Sequence, residues 1–89
     1  MNANYIYDIF ETTEKNDAPD LNVGLAMLRA EKPIPADMDG ADGKELREFM
    51  GRHYQKLVAA YRAKDRYVFA AVVKACEAED EEKDQETQV

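Results

Sequence analysis

A single cysteine, a single histidine and no tryptophan occur in a chain of 89 residues, and each shortage closes off a class of function. One thiol cannot form an intramolecular disulfide. Cys76 and His53 together are too few for a protein zinc site or for a nucleophile and base with a third group to orient them. No apolar run approaches the roughly 20 residues needed to cross a bilayer, so no membrane partner is expected. Met1-Asn2-Ala3-Asn4-Tyr5 has neither the basic segment nor the continuous apolar stretch of a secretory signal, and a cytoplasmic protein is the expectation. Neither catalysis nor a cofactor nor a metal is expected. The length allows one small core, because chains of this size bury only about two thirds of their unfolded surface.

What the chain does have is charge, strongly segregated beneath a net of -7. Residues 1–43 carry nine acids and three bases, residues 44–76 carry eight bases and three acids, and residues 77–89 carry seven acids and Lys83. The last block offers almost nothing apolar to offset an ordering cost of about 1–2 kcal/mol per residue. A single helical domain over 1–80 with a disordered acidic tail over 81–89 is therefore expected.

From Arg52 to that tail there is neither glycine nor proline. Leu46, Phe49, Met50, Tyr54, Leu57 and Tyr61 recur at threes and fours, which predicts a helix. Asp42 is placed as its N-cap, with Glu45 three residues on completing an acidic capping box. Beyond Tyr61 the polar stretch 62–66 interrupts a second apolar block, Tyr67 to Val73. Either the chain bends into a hairpin whose second helix Asp65 caps, which is the preferred reading, or it continues as a rod of about 40 residues, near 60 Å long, that would need a partner along its length. In the N-terminal half, Leu21, Leu25 and Leu28 share one helical face, Asp17-Ala18-Pro19-Asp20 reads as a cap with proline in the first turn, and Pro33 ends the segment. The competing reading is a β-hairpin, since Tyr5, Tyr7 and Ile9 alternate, as do Leu21, Val23, Leu25 and Met27. The fold expected is all-α, a three- to four-helix domain with a long C-terminal helical segment; the alternative is an N-terminal β-hairpin plus two helices.

Candidate chemistry is sparse. Asp37, Asp39 and Asp42 with Gly40 and Gly43 suggest a calcium loop, but the fifth and sixth places are Ala41 and Asp42 where an acid and a glycine belong, so a turn-rich linker is the better reading. Gly40-Ala41-Asp42-Gly43-Lys44 lacks the spacing of a phosphate loop. His53 falls within the apolar arc and reads as a core histidine, with no acid three or four residues away to orient it. Cys76 has no evident activator. The clearest signal is basic: indexed on one helix, Lys44, Arg52, Lys56, Arg62, Arg66 and Lys74 share an arc opposite the apolar stripe. That arc could hold phosphates, although neutralisation by the protein's own acids is the preferred reading, with the tail then a gate over it or an imitation of DNA.

Met1-Asn2-Ala3, Tyr5-Ile6, Asp8 and Glu11, and later Arg52-His53-Tyr54-Gln55 with Leu57, resemble two pieces of the short form of the Gam family of lambda-like phages. The resemblance covers about a dozen positions, and about 40 residues separate the pieces where the family has only a few. It implies a small helical protein that inhibits the host nuclease RecBCD where DNA would enter. Leu21-Asn22-Val23 with Leu25-Ala26, and Leu46-Arg47, are similar to the theta subunit of DNA polymerase III and its phage relative, which are three-helix accessory proteins. The function expected is that of a small non-catalytic phage or prophage protein that binds and modulates a host DNA-processing enzyme. Arg52, Tyr54, Lys56, Tyr61, Arg62 and Arg66 are its partner-binding residues. The alternatives are a nucleic-acid-binding module using the basic helix 44–74 and a self-associating helical scaffold, a homodimer.

Overall fold

The computed structural model describes residues 1–38 and 43–87, with the backbone course alone for 83–87. Among the described residues there are five α-helices, one short 3-10 turn and no strand. The all-α expectation holds, and the hairpin alternative for the N-terminal half does not.

Helix α1 (Ala3–Lys15) starts where the Asn2 side chain accepts a hydrogen bond from the Tyr5 N–H at 3.0 Å, satisfying one of the donors that every helix start leaves open. Tyr5 and Tyr7 are both buried because α1 lies between two neighbours. The Tyr5 hydroxyl donates to the Lys32 carbonyl at 2.7 Å at the end of α2, whereas the Tyr7 ring meets Tyr61 and Phe69 at 5.1 and 5.4 Å. The alternation that suggested a strand is thus a helix buried on two sides.

Helix α2 (Leu21–Glu31) is capped by Asp20, which accepts from the Val23 N–H at 3.0 Å. Pro19 therefore stands one residue ahead of the cap, outside the first turn. Lys32 closes the helix as expected before Pro33, which disfavours helical backbone in the residue it follows. α2 crosses α1 closely: a Cβ at Gly24 would lie 1.8 Å from Thr13 Oγ1 and 3.2 Å from the Ile9 carbonyl oxygen. A mid-helix glycine costs about 1 kcal/mol relative to alanine, and here it allows two backbones to approach.

The long helical region breaks twice, so the rod does not form. α3 (Lys44–Arg52) and α4 (Tyr54–Arg62) meet at His53, and α4 folds back on α5 (Arg66–Thr87) through Lys64, whose φ is 55°. Asp65 accepts from the Tyr67 N–H at 2.8 Å, the cap expected for the hairpin. α3 begins after Gly43, whose φ of 74° is left-handed, with no side-chain cap; Asp42, expected in that role, lies outside the described residues, as do Asp39, Gly40 and Ala41.

The core joins α1, α4 and α5 through Tyr7, Phe10, Tyr61 and Phe69, whose rings stack or meet edge to face within 5.8 Å, each pair adding about 0.5–1.5 kcal/mol to its burial. The buried side of α5 ends at Cys76. The helix continues past Asp80 to Thr87. Five of the seven residues from Glu81 to Thr87 are Glu, Lys or Gln, strong helix formers, with Asp84 and Thr87 the exceptions, so propensity favours carrying the helix on. Gln88 and Val89 lie outside the described residues. No helix among the described residues is long and apolar enough to cross a membrane.

Candidate functional site

The breaks at His53 and Lys64 dissolve the single basic arc, because its members now belong to three helices. Most of them meet the protein's own acids. Arg52 Nη2 reaches Asp80 Oδ2 at 2.9 Å, and Lys56 pairs with Glu79. Lys64 meets Glu14 at 3.0 Å and lies 3.7 Å above the Tyr61 ring. Arg66 reaches Asp8 at 2.8 Å and stacks on the Tyr7 ring at 4.3 Å. The preferred reading of the basic residues, neutralisation from within, is what the geometry shows at these four positions.

The carboxylates respond to this company. Burial alone would raise Asp8, yet hydrogen bonds from Arg66 and Lys32 outweigh it and hold the carboxyl below its usual value. Asp80 is governed the same way: burial pushes upward, and hydrogen bonds from Arg52 and His53 win. Lys56 is raised, chiefly by its hydrogen bond to Glu79. Cys76 is fully enclosed, and burial pushes its thiol up, the reverse of an activated nucleophile.

His53 is 4% exposed, as a core histidine should be. Its orienting acid comes from 27 residues away: Nε2 lies 2.9 Å from Asp80 Oδ1, and its ring rests 4.9 Å from Phe49. Local spacing carries no signal of that pairing, so the sequence could not reveal it.

Of the six residues expected to bind a partner, the structure brings Tyr54 and Arg62 to a common cleft and disposes of the rest differently. Tyr61 shares that cleft but is 8% exposed and belongs to the aromatic core. Arg66 is a clamp between α5 and α1, and Arg52 and Lys56 face α5. Tyr54 is 51% exposed and forms the ridge between a cleft of about 570 Å³ against the α1–α2 turn and a smaller one against the start of α2. Arg62 borders the first and Arg47 the second, and neither has an ion pair among the described residues.

Sequence reasoning passed over Gly51. It is exposed inside α3, on the rim of the same small cleft, and a Cβ placed there would meet nothing within 4 Å. Gly24 is required by helix crossing and Gly43 by its positive φ, but nothing in the fold requires Gly51. The signal was available: a glycine interrupting a run of helix formers needs a packing or functional reason. An exposed tyrosine beside bare helix backbone, flanked by two unpaired arginines, is suited to seating a protein partner, since tyrosine and arginine dominate interface energetics and glycine permits close backbone approach.

Comparison with family models, curated proteins and solved structures finds no match.

Proposed function

We propose that this chain is a non-catalytic docking protein that binds and modulates a larger protein of DNA metabolism, in the manner of a nuclease inhibitor, through the face centred on Tyr54. The observation that carries the docking role is the conjunction of Gly51, dispensable to the fold, with the exposed Tyr54 between the unpaired Arg47 and Arg62. Such a face suits a partner that presents an apolar ridge bordered by carboxylates. The choice of a DNA-processing partner is supported by the resemblance of Arg52-His53-Tyr54-Gln55 and of the N-terminal segment to the phage nuclease inhibitors. Of those residues, Tyr5, Ile6, His53 and Leu57 are core, whereas Arg52, Tyr54 and Gln55 lie at the surface beside the docking face. The DNA-mimic role of the acidic segment fits less well, because Glu77, Glu79 and Asp80 already hold the N-terminal amine, Lys56 and Arg52.

The test is a DNA-degradation assay with a purified RecBCD-type exonuclease. The full chain slows the enzyme, and Tyr54→Ala with Arg62→Ala abolishes the effect while circular dichroism stays unchanged. An exonuclease whose rate and binding ignore the full chain rejects the nuclease assignment.

A further inference from the structure

The contacts at the α3–α4 junction have the form of an occupied anion site. Arg52 and His53 each take one oxygen of the same carboxylate, Asp80 Oδ2 and Oδ1, both at 2.9 Å, and Lys56 takes the neighbouring Glu79. A cleft of about 380 Å³, lined by Gly51 to Lys56 and by Glu79, opens beside them. One buried donor, His53, and two half-exposed cations thus converge on two consecutive acids. A phosphodiester presents the same anionic oxygens, and charge-assisted bonds from Arg, Lys and His serve it equally well.

The acids are held in a way that allows exchange. Apolar burial along α5 stops at Cys76; beyond it the anchors are Glu77 on the N-terminal amine at 3.1 Å, Glu79 on Lys56, and Asp80 on Arg52 and His53. Partly exposed ion pairs of this kind are worth little individually and weaken with salt, so the last turns of α5 can leave without opening the core.

We propose that Arg52, His53 and Lys56 form a binding site for the phosphate backbone of a nucleic acid, occupied in the resting protein by Asp80 and Glu79, so that the turns of α5 after Cys76 act as its gate. The cleft shares Gly51 and Tyr54 with the docking face, but the three proposed phosphate ligands take no part in that face, and neither reading depends on the other. The gate competes from within at an effective concentration of about millimolar, which keeps the full chain a weak binder.

The experiment is fluorescence anisotropy with a labelled DNA duplex and with its single strand, across a salt series. Glu79→Gln with Asp80→Asn tightens binding roughly tenfold or more at low salt, and log affinity falls with log salt at a slope of about −2 to −3, the value for two or three phosphates. Adding Arg52→Ala and Lys56→Ala removes the gain. A control with the same change in net charge, Glu31→Gln with Glu45→Gln, leaves affinity where it was. Equal affinity for the full chain and the gate variant overturns the proposal, and so does a gain that the control reproduces or that survives loss of Arg52 and Lys56. Inorganic tripolyphosphate that displaces the probe as well as unlabelled DNA does at equal phosphate overturns the nucleic-acid assignment. Should Asp80→Asn fail to fold, Glu79→Gln alone carries the same test through Lys56: the gain appears, and Lys56→Ala in that background abolishes it.

Discussion

Two helical glycines with opposite surroundings make opposite predictions. Gly24→Ala places a methyl group on Thr13, whose hydroxyl donates to the Ile9 carbonyl at 2.7 Å, and α2 must move off α1. Overpacking of this kind costs about 1–3 kcal/mol, more than the helix-propensity gain of about 1 kcal/mol recovers. Gly51→Ala meets nothing and adds about 0.5–1 kcal/mol of stability, yet weakens partner binding if bare backbone is what the partner approaches. Thermal melts of the two variants, with a binding measurement on the second, check both signs. Side-chain roles were legible in the sequence where the cause is local, as with His53, whose place in the apolar arc foretold burial. They were not legible where the cause is a contact between distant segments. Tyr61 and Tyr54 look equivalent along the chain, but only Tyr61 falls where α1 and α5 converge, and Asp80 reaches His53 only after α4 and α5 fold together.

Between helices, two carboxylates each hold two partners. Asp8 on α1 holds Arg66 of α5 and Lys32 at the end of α2 at 2.8 and 3.1 Å, and Asp80 holds the α3–α4 junction. Burial opposes ionisation of both, but their hydrogen-bonded cations prevail and lower them beneath the usual 3.8. A carboxylate lowered on folding stabilises the protein above its unfolded pKa, and that contribution disappears as pH falls through the folded one. Urea midpoints therefore hold steady from neutrality to about pH 4 and drop below it, and Asp8→Asn and Asp80→Asn each flatten the drop; an unchanged acid limb in both variants contradicts the clamps. Element ends were legible where their signals are chemical and local: Asp65 and Pro33 act where the sequence places them, whereas the cap of α2 falls on Asp20, after Pro19 and not before it. The middle of α1 was not, since a helix buried on two sides loses the one-sided periodicity that distinguishes it from a strand. The extension of α5 to Thr87 has no apolar periodicity to announce it, and helix propensity suffices to continue a helix already nucleated by packing.

For the whole molecule, the acid, base, acid order of the sequence becomes contact in space. Acids from α1 and from α5 close on Arg52 at the end of α3, Lys56 on α4, Lys64 in the α4–α5 turn and Arg66 at the start of α5, and the cations that remain without a partner among the described residues include Arg47 and Arg62 on either side of Tyr54. Internal pairing thus leaves positive charge available on the docking face, as it does at Lys15 and Lys74, and it removes the case for a continuous basic helix. It also removes the uninterrupted rod that motivated a self-associating scaffold, although Tyr67, 89% exposed on α5, stays uncovered. The measurement that bears most directly on the docking role is affinity capture from an enterobacterial lysate, run in parallel with the full chain and with Tyr54→Ala and quantified by mass spectrometry. A nuclease or polymerase subunit retained by the full chain and lost with Tyr54→Ala is the predicted result. The same subunit retained equally by both chains, or no protein of DNA metabolism retained by either, contradicts it.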